Sequence, residues 1–132
     1  MISKLDLQVK DTVFEPGSPP EVVYYQDEDD NANRRLYKVW IFLEGMDLPY
    51  VASVTYQLHP TFPNPNRTVR RTVTNCNCQL IIWTWGLFKI KVAVKDKNGR
   101  IHEFVHDMKY DAELKQGGFK LKKVEAAASR AS

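Results

Sequence analysis

The sequence predicts an all-β domain, and three observations carry that expectation. Apolar and polar residues alternate with period two along several stretches, as half-buried strands do. Those stretches are rich in β-branched and aromatic residues, which suit a pleated surface. No helical period survives beyond a turn or two.

The elements follow in order. Leu5, Leu7 and Val9 open the pattern. Residues 15–20 break it, because Pro16, Pro19 and Pro20, with Gly17 among them, fix φ and withhold backbone donors. Residues 27–33 read as a polar loop whose acidic run, 27–30, is solvated. A long strand comes next, with Tyr37, Val39, Ile41 and Leu43 on one face and Trp40 and Phe42 on the other. Ala52, Val54, Tyr56 and Leu58 repeat the pattern, as do Phe88, Ile90, Val92 and Val94. Asn98-Gly99 is the best hairpin signal in the chain, since both residues tolerate positive φ. His102, Phe104, His106 and Met108 form the returning strand. Gly117-Gly118 precedes a last strand over 119–124, in a basic run, 115–123, that reads as a solvated loop or edge. About eight antiparallel strands without crossover helices imply a sandwich or barrel, and that count suits an immunoglobulin-like β-sandwich.

With 132 residues, 43% hydrophobic and 27% charged, the chain can close one core without staples. We expect a single domain over 1–125 and a flexible C-terminal tail over 126–132, which is rich in Ala and Ser. A net charge of +3, from 19 basic and 16 acidic side chains, is too small to imply nucleic acid. No apolar run approaches the roughly 20 residues that span a bilayer, and the first ten residues do not resemble a signal peptide. The expectation is a soluble cytoplasmic protein that inserts in no membrane. Cys76 and Cys78 lie one residue apart, where a disulfide would be strained and a zinc site incomplete. They read as reduced and structural.

The residues also speak against catalysis. His59, His102 and His106 are the only histidines. The spacing of His102 and His106 would suit two metal ligands on a helix, but on a strand it separates them by roughly 13 Å. There is no Gly-rich phosphate loop, nucleophile elbow or Cys–His pattern. The chain is therefore expected to be no enzyme and to need neither cofactor nor metal.

Two segments stand out instead. In LHPTFPNPNR, residues 58–67, three prolines stiffen a turn that presents His59, Thr61 and Phe62. In residues 84–88, Trp85-Gly86 interrupts the alternation between Thr84 and Phe88, and Gly86 lets another group approach the backbone closely. Loops of this kind at one end of a sandwich commonly carry function.

The run LHPTFPNPNR, then TWGLF, then FVHDM resembles a YEATS domain, and more narrowly the prokaryotic branch of that family, over residues 37–110. The resemblance implies an immunoglobulin-like sandwich, in agreement with the period-two reading. Eukaryotic members read acylated lysine on histone tails. The resemblance makes Phe62 and Trp85 the two aromatic walls around a flat acyl amide. Thr61 supplies a hydroxyl to that amide, and His59 supports the hydroxyl or lines the pocket. The N–H groups of Trp85 and Gly86 face the acyl carbonyl, Phe88 closes the floor, and Asp107 contacts the flanking peptide. Thr84 joins this set in a place where relatives commonly carry Gly, and Leu87 replaces a small or polar residue. The expected partner is a modified peptide, a modified protein or a small planar ligand. An alternative stays open: a structural, protein-interaction module whose loop aromatics only close the core.

Overall fold

The computed structural model describes residues 5–26, 35–84 and 86–124. The acidic loop at 27–33, Trp85 and the tail at 126–132 lie outside the described residues.

The described residues form nine strands, one two-turn helix and a short 3-10 turn at Leu48–Tyr50. They are β1 (Gln8–Thr12), β2 (Glu21–Gln26), β3 (Arg35–Glu44), β4 (Val51–Gln57), β5 (Asn66–Arg70), β6 (Leu80–Thr84), β7 (Lys89–Asp96), β8 (Ile101–Asp107), α1 (Tyr110–Gln116) and β9 (Lys120–Lys123). One sheet runs β1-β3-β2-β9, with β6 also paired to β3, and the other runs β5-β4-β7-β8. Pairing is antiparallel at β2–β3, β4–β5, β4–β7 and β7–β8, whereas β9 lies parallel to β2. β9 follows α1, and residues 27–119 separate it from its parallel neighbour β2. All four residues of β9 are exposed. Lysines at three of its four positions discourage another strand from pairing there.

By internal contacts the chain divides into two compact units. The first holds 5–10, 41–80 and 88–108 of the described residues; the second holds 11–26, 35–40, 81–84, 86–87 and 109–124. In the first unit the alternation maps onto the ladder. Val54 and Tyr56 on β4 stand opposite Val94 and Val92 on β7, and those stand opposite His102 and Phe104 on β8. Val54, Tyr56, Ile90, Val92 and Val94 are buried, while the alternate residues of β7, Lys89, Lys91 and Lys95, are exposed. Tyr56 donates its hydroxyl to the Cys78 carbonyl at 2.7 Å. Burial, and then the neighbouring Cys78, raise the Tyr56 phenol far above its ordinary value, so it remains a donor. Gly45, at φ +143°, ends β3 where a Cβ would stand 2.2 Å from the Asp6 carbonyl oxygen. Only glycine fits that approach.

The Asn98-Gly99 hairpin forms between β7 and β8, with positive φ at Gly99 alone. The Asp96 N–H donates to the Arg100 carbonyl, and Gly99 donates to the Asp96 carbonyl. Asp96 Oδ1 accepts from the N–H groups of Asn98 and Arg100, and Oδ2 lies 2.9 Å from His102 Nε2. These bonds, led by the one to His102, hold the Asp96 carboxyl below its ordinary value despite the opposing effect of burial.

In the second unit Val13, Val22, Val39, Trp40, Ile82 and Tyr110 are buried. Tyr25 packs on Trp83 at 5.2 Å, and the Lys38 ammonium stands 5.2 Å from the Trp40 ring centre. A depression of about 750 Å³ opens here among residues that include Pro19, Pro20, Lys38, Trp40 and Phe119. Among the described residues no helix is long and apolar enough to cross a membrane, and no cluster of metal-ligating side chains occurs.

Candidate functional site

The loop that follows β4 is held by its own backbone and by one cation. Leu58 N–H donates to the Pro65 carbonyl at 2.8 Å, and Phe62 N–H donates to the His59 carbonyl at 3.0 Å. Arg67 bridges the far side, with Nε donating to the Asn64 carbonyl at 2.8 Å and an Nη to the Pro63 carbonyl at 2.9 Å. Asn64 sits at φ +50°, a conformation that asparagine tolerates better than most residues. Prolines and a guanidinium thus fix the loop while leaving His59 and Thr61 exposed.

Those two side chains form a pair. His59 Nδ1 lies 2.8 Å from Thr61 Oγ1, and the Thr61 backbone N–H donates to the same Nδ1 at 3.2 Å. A backbone N–H can only donate, so Nδ1 is an acceptor and the ring carries its proton on Nε2. The Thr61 hydroxyl then donates its proton to Nδ1, and its oxygen lone pairs remain to accept from a ligand. Beneath the pair lies Phe88, half-buried, with ring centres 6.1 Å from His59 and 5.4 Å from Phe62. The structure therefore brings His59, Thr61, Phe62 and Phe88 together. Asp107 is exposed at the end of β8, opposite Lys89 in the ladder.

The second segment is organised differently. Thr84 is 5% exposed, and its hydroxyl faces its own turn. Oγ1 donates to the Gly86 carbonyl at 3.1 Å and accepts from the Gly86 N–H at 3.3 Å. The threonine that stands in place of a common glycine thus ties the turn from inside instead of pointing toward a ligand. The Gly86 N–H expected to meet an acyl carbonyl is directed to that hydroxyl. Leu87 is half exposed, at 50%. Trp85, the expected second wall, lies outside the described residues.

Two residues that hold these turns, Arg67 and Tyr110, carry little or no sequence signal. Arg67 had a faint signal, being a cation directly after a Pro/Asn turn. Tyr110, which donates to the Gly86 carbonyl at 2.9 Å, had none, because 24 residues separate the two.

With this geometry in view, the likeness to known proteins has a place to attach. Residues 36–109 match the family described as the prokaryotic YEATS domain, pYEATS. The chain is 38% identical over 72 residues to transcription initiation factor TFIID subunit 14 of Schizosaccharomyces pombe. That alignment covers 53% of this chain and only 28% of the relative. Among solved structures, the chain resembles the Yaf9 YEATS domain recognising an H3K122suc peptide, with a TM-score of 0.53 and 21% identity, covering 86% of this chain and 80% of that one. It also resembles the yeast AF-9 homolog protein Yaf9, with a TM-score of 0.51 and 20% identity over 79% of this chain and 64% of that one. At these identities the structural likeness establishes the fold, an immunoglobulin-like β-sandwich, as the period-two pattern predicted.

Proposed function

The chain belongs to the prokaryotic YEATS domain family, and from that premise we propose that it is a non-catalytic reader of an acylated lysine, or of a similar planar amide, in a peptide or small ligand. The observation that carries this reading is the His59–Thr61 pair, an exposed hydroxyl whose proton is already committed and whose oxygen keeps its capacity to accept. An acyl amide buried in an aromatic slot stacks well, because it is flat and neutral. Its N–H must still be paired, at a cost of about 1–3 kcal/mol if it is not. Thr61 Oγ1 offers that acceptor, Phe88 forms the floor, Phe62 forms a wall, and Asp107 contacts the flanking peptide. Yaf9, which shares the fold, recognises an H3K122suc peptide. On this reading the partner is a modified peptide or protein, or a small planar ligand, met in the cytoplasm, and no specific nucleic acid.

Calorimetric titration with acetyl- and crotonyl-lysine peptides tests the reading. Heat is expected with the wild type, an affinity about tenfold lower for Thr61→Val, and none for Phe62→Ala. The absence of heat with every acylated peptide would sink it. The contact between Phe62 and Phe88 favours a second reading, in which the loop aromatics only seal the core of an interaction module. That reading requires Phe62→Ala to destabilise the fold by the roughly 3–5 kcal/mol of a deleted core aromatic.

A further inference from the structure

Tyr110 opens α1, one residue beyond the stretch that matches the family. It is 3% exposed, and its hydroxyl donates to the Gly86 carbonyl beside the bond from Thr84. Its ring centre lies 6.3 Å from that of Tyr37, which in turn lies 6.3 Å from Tyr24. Burial first, then Tyr37, push the phenol up to about 12, so it stays a donor throughout the neutral range.

What holds Tyr110 is a clasp between the two ends of the second unit. The Asp11 carboxylate accepts from the N–H groups of Lys109 and Tyr110 at 2.8–3.0 Å. Those are orphan donors of the first turn of α1, and Lys109 makes no side-chain cap of its own. In return the Glu113 carboxylate, from α1, accepts from the Thr12 hydroxyl and from the Val13 N–H at 2.8 Å. Two carboxylates thus lock residues 11–13 to α1, and α1 delivers one hydroxyl to Gly86.

We propose that Tyr110 is a positioning residue for the ligand turn at Gly86, and that the Asp11–Glu113 clasp sets where it stands. Gly86 has no side chain to anchor it, and a Cβ there would meet nothing within 4 Å. Among the described residues its N–H is held by Thr84, and its carbonyl by Thr84 and Tyr110 together. Loss of the Tyr110 bond leaves the carbonyl held through a two-residue turn alone, and that turn becomes easier to open. Residues flanking the family core therefore tune a turn inside it. The consequence for ligand affinity rests on the reader function proposed above; the consequence for the turn itself does not.

Tyr110→Phe in the full chain removes the hydroxyl and keeps the ring. Amide hydrogen exchange at Gly86 should accelerate about three- to tenfold, matching the loss of one hydrogen bond. The melting temperature should fall by about 5 °C or less. Affinity for a crotonyl-lysine peptide should drop by about the same three- to tenfold. Glu113→Gln should accelerate Gly86 exchange in the same direction by a smaller factor. Unchanged Gly86 exchange in Tyr110→Phe overturns the positioning role, and unchanged exchange in Glu113→Gln overturns the part played by the clasp. Peptide binding that is equal in wild type and Tyr110→Phe overturns the link to recognition. Should the wild type bind no acylated peptide while Gly86 exchange still accelerates, the reader function fails and the positioning role stands.

Discussion

The turns at 59–65 and 84–88 each set a threonine beside aromatic residues, yet they are held in opposite ways. In the first, prolines and the Arg67 guanidinium restrain the backbone, and Thr61 and His59 face solvent. In the second, the threonine hydroxyl itself restrains the backbone and is buried in doing so. The difference teaches that a turn hydroxyl stays exposed where other groups hold the backbone. Arg67 and three prolines hold the loop around Thr61, whereas at Gly86 the Thr84 hydroxyl carries that task with only Tyr110, among the described residues, beside it.

The contrast can be broken by removing each restraint in turn. The largest effect belongs to Thr84→Val, which keeps shape but deletes the partner of two backbone groups of Gly86. It should cost about 1–3 kcal/mol of stability by urea denaturation. A cost within the ±0.5 kcal/mol of an ordinary surface change would mean that Thr84 is not structural. Arg67→Met comes next, since it keeps the stem and loses two bonds to carbonyls that water can reach. It should cost about 1 kcal/mol and should broaden the NMR resonances of residues 61–64, with no change at Gly86. Equal broadening at both turns would erase the distinction between them.

Acid gives the smallest effect and adds a third kind of turn. The hairpin at 96–100 is restrained by a carboxylate, and Asp96 is held below its ordinary value by His102 and the turn N–H groups. A carboxyl depressed in the folded state contributes stability above its unfolded pKa of about 3.9. That contribution fades as pH falls through the lower, folded value. Urea midpoints measured from pH 6 down to pH 2 should show a loss in the wild type that is reduced in Asp96→Asn, whereas Thr84→Val should titrate like the wild type. An Asp96→Asn profile identical to the wild type would remove the carboxylate from the account.

Much of the fold was legible because period-two alternation is local. Val54, Tyr56, Ile90, Val92 and Val94 announce their buried faces within their own strands. The hairpin was legible in Asn98-Gly99, but its organiser, Asp96, was not singled out, because its three bonds depend on the turn having closed. Likewise the loop at 59–65 was legible as stiff from its prolines alone, while Arg67 becomes a brace only once residues 63 and 64 fold back over it.

What the sequence determined by itself was the all-β class, the rigid loop at 59–65 and the family to which the chain belongs. Each rests on neighbours in the chain, where spacing and residue type dictate geometry. Which hydroxyl faces outward was decided by tertiary structure alone. Thr61 and Thr84 look alike in sequence, but Thr84 is buried with its hydroxyl bonded within its own turn, and a phenol from 24 residues away meets the same Gly86 carbonyl. A hydrogen-bonding group has no fixed role until its partners are placed, and one partner of Gly86, Tyr110, comes from an element that no local pattern connects to it.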